Sequence, residues 1–118
     1  MSNVGSLLPT VEIPIMEIPL FWISDDLLPT MASEVRLICQ IIEQWSKQMC
    51  PVRTGTLQNS IKIFYRFAGK AYTIFASMVY YGTEVQFGTA KHPGTPFLTM
   101  GVDYALSLAR FVGGEPLV

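Results

Sequence analysis

The sequence predicts an α+β domain: a small antiparallel β-sheet with a long N-terminal helix and a C-terminal helix packed on it, preceded by an extended N-terminal arm. Three observations carry this. Residues 26–49 set apolar side chains at alternating steps of three and four, the spacing of one helix face. Residues 61–78 show two runs of apolar alternation separated by Ala68-Gly69-Lys70, the pattern of two half-buried strands and a turn. Residues 97–112 return to helical spacing and end at Gly113-Gly114. The chain therefore divides into an arm over 1–25, one domain over 26–112 and a short tail over 113–118.

In the arm, prolines and glutamates are spread through Leu8–Leu20, and Val11, Ile13 and Ile15 alternate with Glu12, Pro14 and Met16. The period of two predicts an extended segment, and proline restricts a strand to an edge or a bulge. We read it as an edge strand lying on a neighbouring subunit, with a loose tail in the isolated chain as the alternative. Leu20, Phe21, Trp22 and Ile23 follow, and leaving each in water would forfeit ~1.5–3 kcal/mol. That end of the arm is expected to dock.

The first helix carries Leu28, Met31, Val35, Ile38, Ile42, Trp45 and Met49 on one stripe. Leu37, Cys39 and Ile41 widen the apolar face, which predicts burial on more than one side. Asp25 or Asp26 can cap its start, and Pro29 is tolerable in the first turn. Glu43 and Lys47 form a favourable i,i+4 pair. Pro51 disfavours helical geometry at Cys50 and stops the helix. A coiled coil is the alternative, but three heptads with few flanking charges favour packing on a sheet.

Thr54-Gly55-Thr56 then turns the chain, with Gly55 in a backbone angle other residues resist. Thr54 and Thr56 can bond local backbone. Leu57–Ile61 suits either a helical turn or a strand start. Ile61, Ile63, Tyr65 and Phe67 face one side of the first strand, and Tyr72, Ile74, Ala76 and Met78 one side of the second. The short connection makes an antiparallel hairpin. Residues 80–96 form a glycine-rich loop with one helical turn near Gly82–Val85. Thr95 is the expected cap of the last helix, with Pro96 at its first position.

Composition points to assembly. Half the residues are hydrophobic, 14% are charged, and mean hydropathy is +0.36. Obligate interfaces resemble a domain core cut in half, so subunit contacts account for this excess. A disordered or membrane-adsorbed end is the alternative. The formal charge of −1 leaves no basic footprint for gripping a phosphate backbone. No apolar run reaches the ~20 residues of a spanning helix, and no secretory signal is evident. Cys39 and Cys50 on one helix would lie ~16 Å apart at 1.5 Å rise, beyond the ~7 Å limit for a disulfide. Reduced thiols and cytoplasmic assembly are expected.

No catalytic, cofactor or metal constellation is expected. The single histidine, His92, has no Cys or Asp/Glu cluster beside it. Asp25-Asp26 is better explained by helix capping than by acid/base work. Gly82, Gly88 and Gly94 lack the Gly-Lys-Ser/Thr of a phosphate loop. Gln58, Asn59 and Ser60 suit contacts that are hydrogen-bonded and then buried. Phe87-Gly88-Thr89 sets an aromatic anchor beside a flexible joint.

Two motifs and their order give a resemblance. The first is Pro51-Val52-Arg53-Thr54-Gly55-Thr56-Leu57-Gln58-Asn59-Ser60-Ile61. The second is Val79-Tyr80-Tyr81-Gly82-Thr83-Glu84-Val85-Gln86-Phe87-Gly88-Thr89, followed by Pro96-Phe97-Leu98. Over roughly residues 27–112 the chain resembles the neck or tail-component family of long-tailed bacteriophages, which serves head–tail joining and tail completion. Arg53-Thr54-Gly55, Leu57, Ser60-Ile61, Tyr81, Val85, Phe87-Gly88-Thr89 and Pro96-Phe97-Leu98 match that family's pattern. Gly82 stands where alanine is usual, and Gln86 where glutamate is usual.

The resemblance implies an α+β structural virion protein that forms a ring, most often a hexamer, with a dodecamer as the alternative. The ring sits at the head–tail junction after assembly in the host cytoplasm. It joins the tail to the head connector and lets DNA pass its lumen without sequence-specific binding. Expected partners are connector or head-closure proteins and tail-tube or tail-terminator proteins, with no membrane. A ring needs a heterologous interface. Candidate contact residues are Phe21, Trp22, Arg53, Thr54, Gly55, Tyr81, Gln86, Phe87, Gly88, Thr89 and Phe97. Two other classes remain open: a small enzyme or toxin with a site around Tyr80, Tyr81 and His92, and a membrane-associated protein using the arm.

Overall fold

The computed structural model describes residues 8–20, 28–51, 55–91, 93–108 and 115–118, with backbone alone for 28–30. The elements run β1 (Thr10–Pro19), α1 (Leu28–Met49), α2 (Thr56–Ser60), β2 (Lys62–Ala68), β3 (Ala71–Val79), α3 (Gly82–Phe87), α4 (Phe97–Leu108) and β4 (Glu115–Pro116). The strands make one antiparallel sheet in the order β2-β3-β1-β4. The fold is the expected α+β arrangement of a small antiparallel sheet with helices packed on it.

The hairpin turns on Gly69 and Lys70, both at φ 59°, the signature of a two-residue type I′ turn whose twist matches the strands. The alternation read from sequence holds. Ile61 and Ile63 are buried, as are Tyr72, Ile74, Ala76 and Met78. Toward the turn the face opens, and Phe67 is 47% exposed.

The arm is extended, as expected, but Thr10–Pro19 pairs along its length with β3 of its own chain. An edge strand laid on a neighbouring subunit is therefore replaced by a strand inside the chain's own sheet. The physical reason lies in where its prolines face. The Tyr80 N–H donates to the Pro9 carbonyl, so the alternating ladder turns the backbone of Thr10, Glu12 and Pro14 away from β3. Pro19 is an odd number of residues further on and in a regular strand would face inward, where its missing N–H would break the ladder. The register instead shifts between Pro14 and Met16, and Ile15 is the extra residue of a bulge. Beyond it the Leu20 N–H points back to Lys70, so Pro19 also faces outward. The same shift lets Ile15 and Met16, adjacent in sequence, both be fully buried.

α1 and α4 cover one face of the sheet, with α1 along β2 and α4 reaching β1. The shortest dimension, 21 Å, is that of one helix layer on one sheet. Met31, Val35, Ile38 and Ile42 of the α1 stripe are buried, with Trp45 and Met49 half-buried. Cys39 widens the buried face, but Leu37 does not: it is 54% exposed. Cys39 sits one residue past Ile38 on the side toward β2, whereas Leu37 lies on the solvent side of the same turn. Trp45 stacks on Tyr104 at 4.1 Å between ring centroids, clamping α1 to α4. The Glu43–Lys47 pair forms at 3.5 Å.

Asp25, Asp26 and Gly113-Gly114 lie outside the described residues. The start of α4 differs from expectation by one position. The Met100 N–H donates to the Pro96 carbonyl, so Pro96 is the cap residue and Phe97 opens the helix.

Candidate functional site

The first motif folds as a joint. Gly55 has φ 83°, a left-handed angle that strains any residue with a Cβ. It leads into the short helix α2, which settles the choice between helical turn and strand. The Gln58 side chain donates to the Lys47 carbonyl at 2.8 Å, satisfying one of the orphan acceptors at the end of α1. The Ser60 hydroxyl donates to the Leu57 carbonyl at 2.7 Å and accepts the Val79 N–H at 3.1 Å. These polar residues are spent inside the chain, tying the end of α1 to the end of β3. Arg53 and Thr54 lie outside the described residues, as do Phe21 and Trp22.

The second motif folds as α3 and its exit. Gln86 is 3% exposed and holds the start of α4. Its Oε1 accepts the Leu98 N–H at 2.8 Å, and its Nε2 donates to Thr99 Oγ1 at 2.7 Å. A distant side chain thus does the work of an N-cap, which sequence spacing assigned to Thr95. Gln86 and Phe97, both candidate contact residues, are buried within the chain and present no surface to a partner. The reason is the same for both: the α4 start folds down onto α3, putting Phe97 in the core.

Tyr81 is half-buried against the core, with the Tyr80 ring edge-on to it at 5.4 Å. Gly88 takes φ 85° at the end of α3. The loop beyond it closes where the Thr95 N–H donates to the Val85 carbonyl at 2.7 Å. Gly94 lies directly on this backbone, since a Cβ there would come within 2.5 Å of the Gly88 nitrogen. Thr89 is exposed and its hydroxyl accepts the Lys91 N–H. Phe87 stands 58% exposed and Tyr80 51%, flanking α3. The departure at Gly82 has a local cause. The volume an alanine methyl would take is filled by Met78 and Leu57, each within 2.9 Å of that point.

The opposite face of the sheet is polar with an aromatic centre. Phe64 and Phe75 stack at 5.6 Å, Arg66 lies over both rings, and its guanidinium meets Glu12 at 3.1 Å. Along the β2 edge, a cleft of about 380 Å³ opens beside α1, lined by Arg36, Gln40, Glu43 and Tyr65 among others. Glu43 there accepts the outward Ile63 N–H at 3.0 Å. Cys39, in the wall of the cleft, has its thiol pushed up to about 12 by burial and by the nearby Glu43. Burial also raises Cys50, and both cysteines are free thiols.

Among the described residues no group of three or more His, Cys, Asp or Glu could hold a metal, and no helix is long and apolar enough to cross a membrane. His92 lies outside them, so of the alternative site only Tyr80 and Tyr81 are placed. The sequence reading missed Gln86 as a cap, Ser46 and Gly101 at the α1–α4 contact, and Glu43 as a cap for the sheet edge. Only the last left a trace in sequence, an acid on the helix flank next to the stripe. Compared with models of protein families, with curated proteins and with solved structures, the chain matches none.

Proposed function

We propose that this chain is a structural ring subunit of the head–tail junction of a long-tailed bacteriophage, joining the tail to the head connector while DNA passes the lumen. One observation carries the reading: a chain with only 14% charged residues leaves Phe87, Tyr80, Leu37, Leu108 and Phe67 each about half exposed. Scattered apolar side chains are ordinary on a monomer, but Phe87 and Tyr80 are large, flank one short helix, and belong to the motif that carries the family resemblance. Gln86, Gly82 and Tyr81 of the same motif pack or hydrogen-bond within the chain, whereas Phe87 and Tyr80 are the large side chains it leaves in solvent, and a partner surface accounts for both. The fold agrees with what the resemblance implies.

The test is the mass of the purified chain by light scattering after gel filtration. A discrete species near six or twelve times 13.2 kDa is expected. Phe87→Ala should shift it toward smaller species while circular dichroism stays unchanged. A monomer that also fails to co-sediment with tail tubes or connectors would refute the proposal.

A further inference from the structure

The helix layer carries a second apolar surface besides the one packed on the sheet. Its two helices run antiparallel. The Gln58 side chain on the Lys47 carbonyl and the Ser60 hydroxyl on the Val79 N–H bring the end of α1 to the end of β3, where α3 follows and Gln86 holds the start of α4. Gly101 sits against Ile42 and Ser46, so Leu108, about two turns further along the same side of α4, comes level with Leu37. Leu37, Ile41 and Trp45 follow at i, i+4 and i+8 on α1, and Met100, Tyr104 and Leu108 do the same on α4. The Trp45–Tyr104 stack joins the two rows into one strip.

The strip is left open. Leu37 is 54% exposed, Leu108 49%, and Met100 and Tyr104 each 37%, with Ile41 and Trp45 half-buried between them. The widened apolar face of α1 is thus covered on the sheet side, at Cys39, and uncovered on the α4 side, at Leu37. Single exposed leucines are ordinary, but contiguous apolar rows mark interaction surfaces. On the two helices, the charged side chains beside the strip are Glu34, one turn before Leu37, and Asp103, next to Tyr104. Both are exposed, and neither forms an ion pair among the described residues. The bases of α1 lie on its other flank, Arg36 in the cleft at the β2 edge and Lys47 on Glu43.

From this we infer that the strip takes Phe87 of a second copy of the chain, so that α3 of one subunit docks across α1 and α4 of the next. The inference rests on the ring reading and names its interface. Phe87 is suited to anchor it. The side chain is 58% exposed, yet the loop beneath it is tied down where the Thr95 N–H meets the Val85 carbonyl and Gly94 packs on the backbone of Phe87 and Gly88. An aromatic held in place before binding loses little freedom on docking. Charge separates the two ways in which a second copy can cover the strip. Strip against strip, the two-fold arrangement, sets Glu34 and Asp103 against the same acids, which is unfavourable. The Phe87 surface brings Lys91 as well as Glu84, both exposed and without an ion pair among the described residues. A contact between unlike faces repeats from subunit to subunit and can close into a ring.

The test uses the full chain. Leu37→Glu with Leu108→Glu spoils the strip, and Phe87→Glu spoils the anchor. All three positions are exposed, so circular dichroism should match wild type. Each variant alone should self-associate at least ~10-fold more weakly in sedimentation velocity. In a mixture of the two, the anchor of the strip variant meets the intact strip of the Phe87 variant, and a one-to-one dimer that grows no further should form. A strip-on-strip contact would instead leave the Phe87 variant associated. As a second readout, p-benzoylphenylalanine placed at position 87 is photolysed in mixed ¹⁴N- and ¹⁵N-labelled chains. Its adducts should fall on residues 37–45 or 100–108 and pair unlike isotopes. If the chain assembles only on tail tubes or connectors, the same variants are read by co-sedimentation with them. An undiminished oligomer in the strip variant, a mixture without the dimer, or adducts that fall off the strip overturn the interface and leave the ring reading in place. A wild-type chain that is monomeric and binds neither tail tubes nor connectors overturns both.

Discussion

Gln86→Ala is the sharpest test of how the second motif works. In the folded chain Gln86 is 3% exposed, with its amide oxygen on the Leu98 N–H and its amide nitrogen on Thr99. Truncation strands a buried backbone donor at the start of α4, which costs ~1–3 kcal/mol. It also removes one buried methylene, the γ carbon, at ~0.8 kcal/mol. The sum, about 2–4 kcal/mol, is a large share of the ~5–15 kcal/mol that holds a domain together. With a urea slope of ~1–3 kcal/mol/M, the unfolding midpoint should fall by about 1–3 M. Wild type and variant are compared at one protein concentration, because self-association adds to apparent stability. Gln86→Glu is the control. Its carboxylate still accepts the Leu98 N–H, and the Thr99 hydroxyl can rotate to donate to the second oxygen. The helix N-terminus favours the negative charge while burial opposes it, so this variant should lose less than half of what alanine loses. A Gln86→Ala midpoint within ~0.5 kcal/mol of wild type would mean that Gln86 is a surface residue and that the cap does not exist.

Other outcomes follow from single contacts. Gly101 packs on α1, where an added Cβ would fall on the Ser46 hydroxyl and lie 3.0 Å from the Ile42 carbonyl oxygen; Gly101→Ala should cost ~1–3 kcal/mol by urea unfolding. Ser46 is fully buried and its hydroxyl has no hydrogen-bond partner among the described residues. Ser46→Ala should therefore be neutral or stabilising by up to ~1 kcal/mol, and should relieve part of the Gly101→Ala cost in a double-mutant cycle. Cys39 holds its proton to about 12 when folded against an ordinary 9.0. The folded state then binds the proton more tightly, so this contribution is intact below pH 9 and is lost as pH rises toward 12. Stability should fall there by as much as ~1.4 kcal/mol per pH unit, a slope that Cys39→Ala lessens. Correspondingly, thiol titration at neutral pH should find Cys39 slow until urea unfolds the chain.

Elements with periodic signals could be read directly from the order of residues. The three-four spacing of α1, the paired alternation of β2 and β3 and the helical return at α4 were all legible, because a helix or strand that buries one face must repeat its apolar residues at its own period. Gly55 was legible for a similar reason, since a left-handed angle restricts the residue that can hold it. The membership of Thr10–Pro19 in its own sheet was written more faintly. The apolar phase moves from Val11-Ile13-Ile15 to Met16-Ile18-Leu20, and the odd spacing of Pro14 and Pro19 requires the bulge that moves it. Tertiary structure alone decided the rest. Periodicity does not say that the cap of α4 is Gln86 rather than Thr95, that Leu37 stays in solvent while Cys39 is buried, or that Gly101 lets two helices touch. Nor does it say that Arg66 reaches over Phe64 and Phe75 to meet Glu12 on the outer face of the sheet. Each of these depends on which elements become neighbours, and neighbours distant in sequence are chosen by the packing of the whole chain.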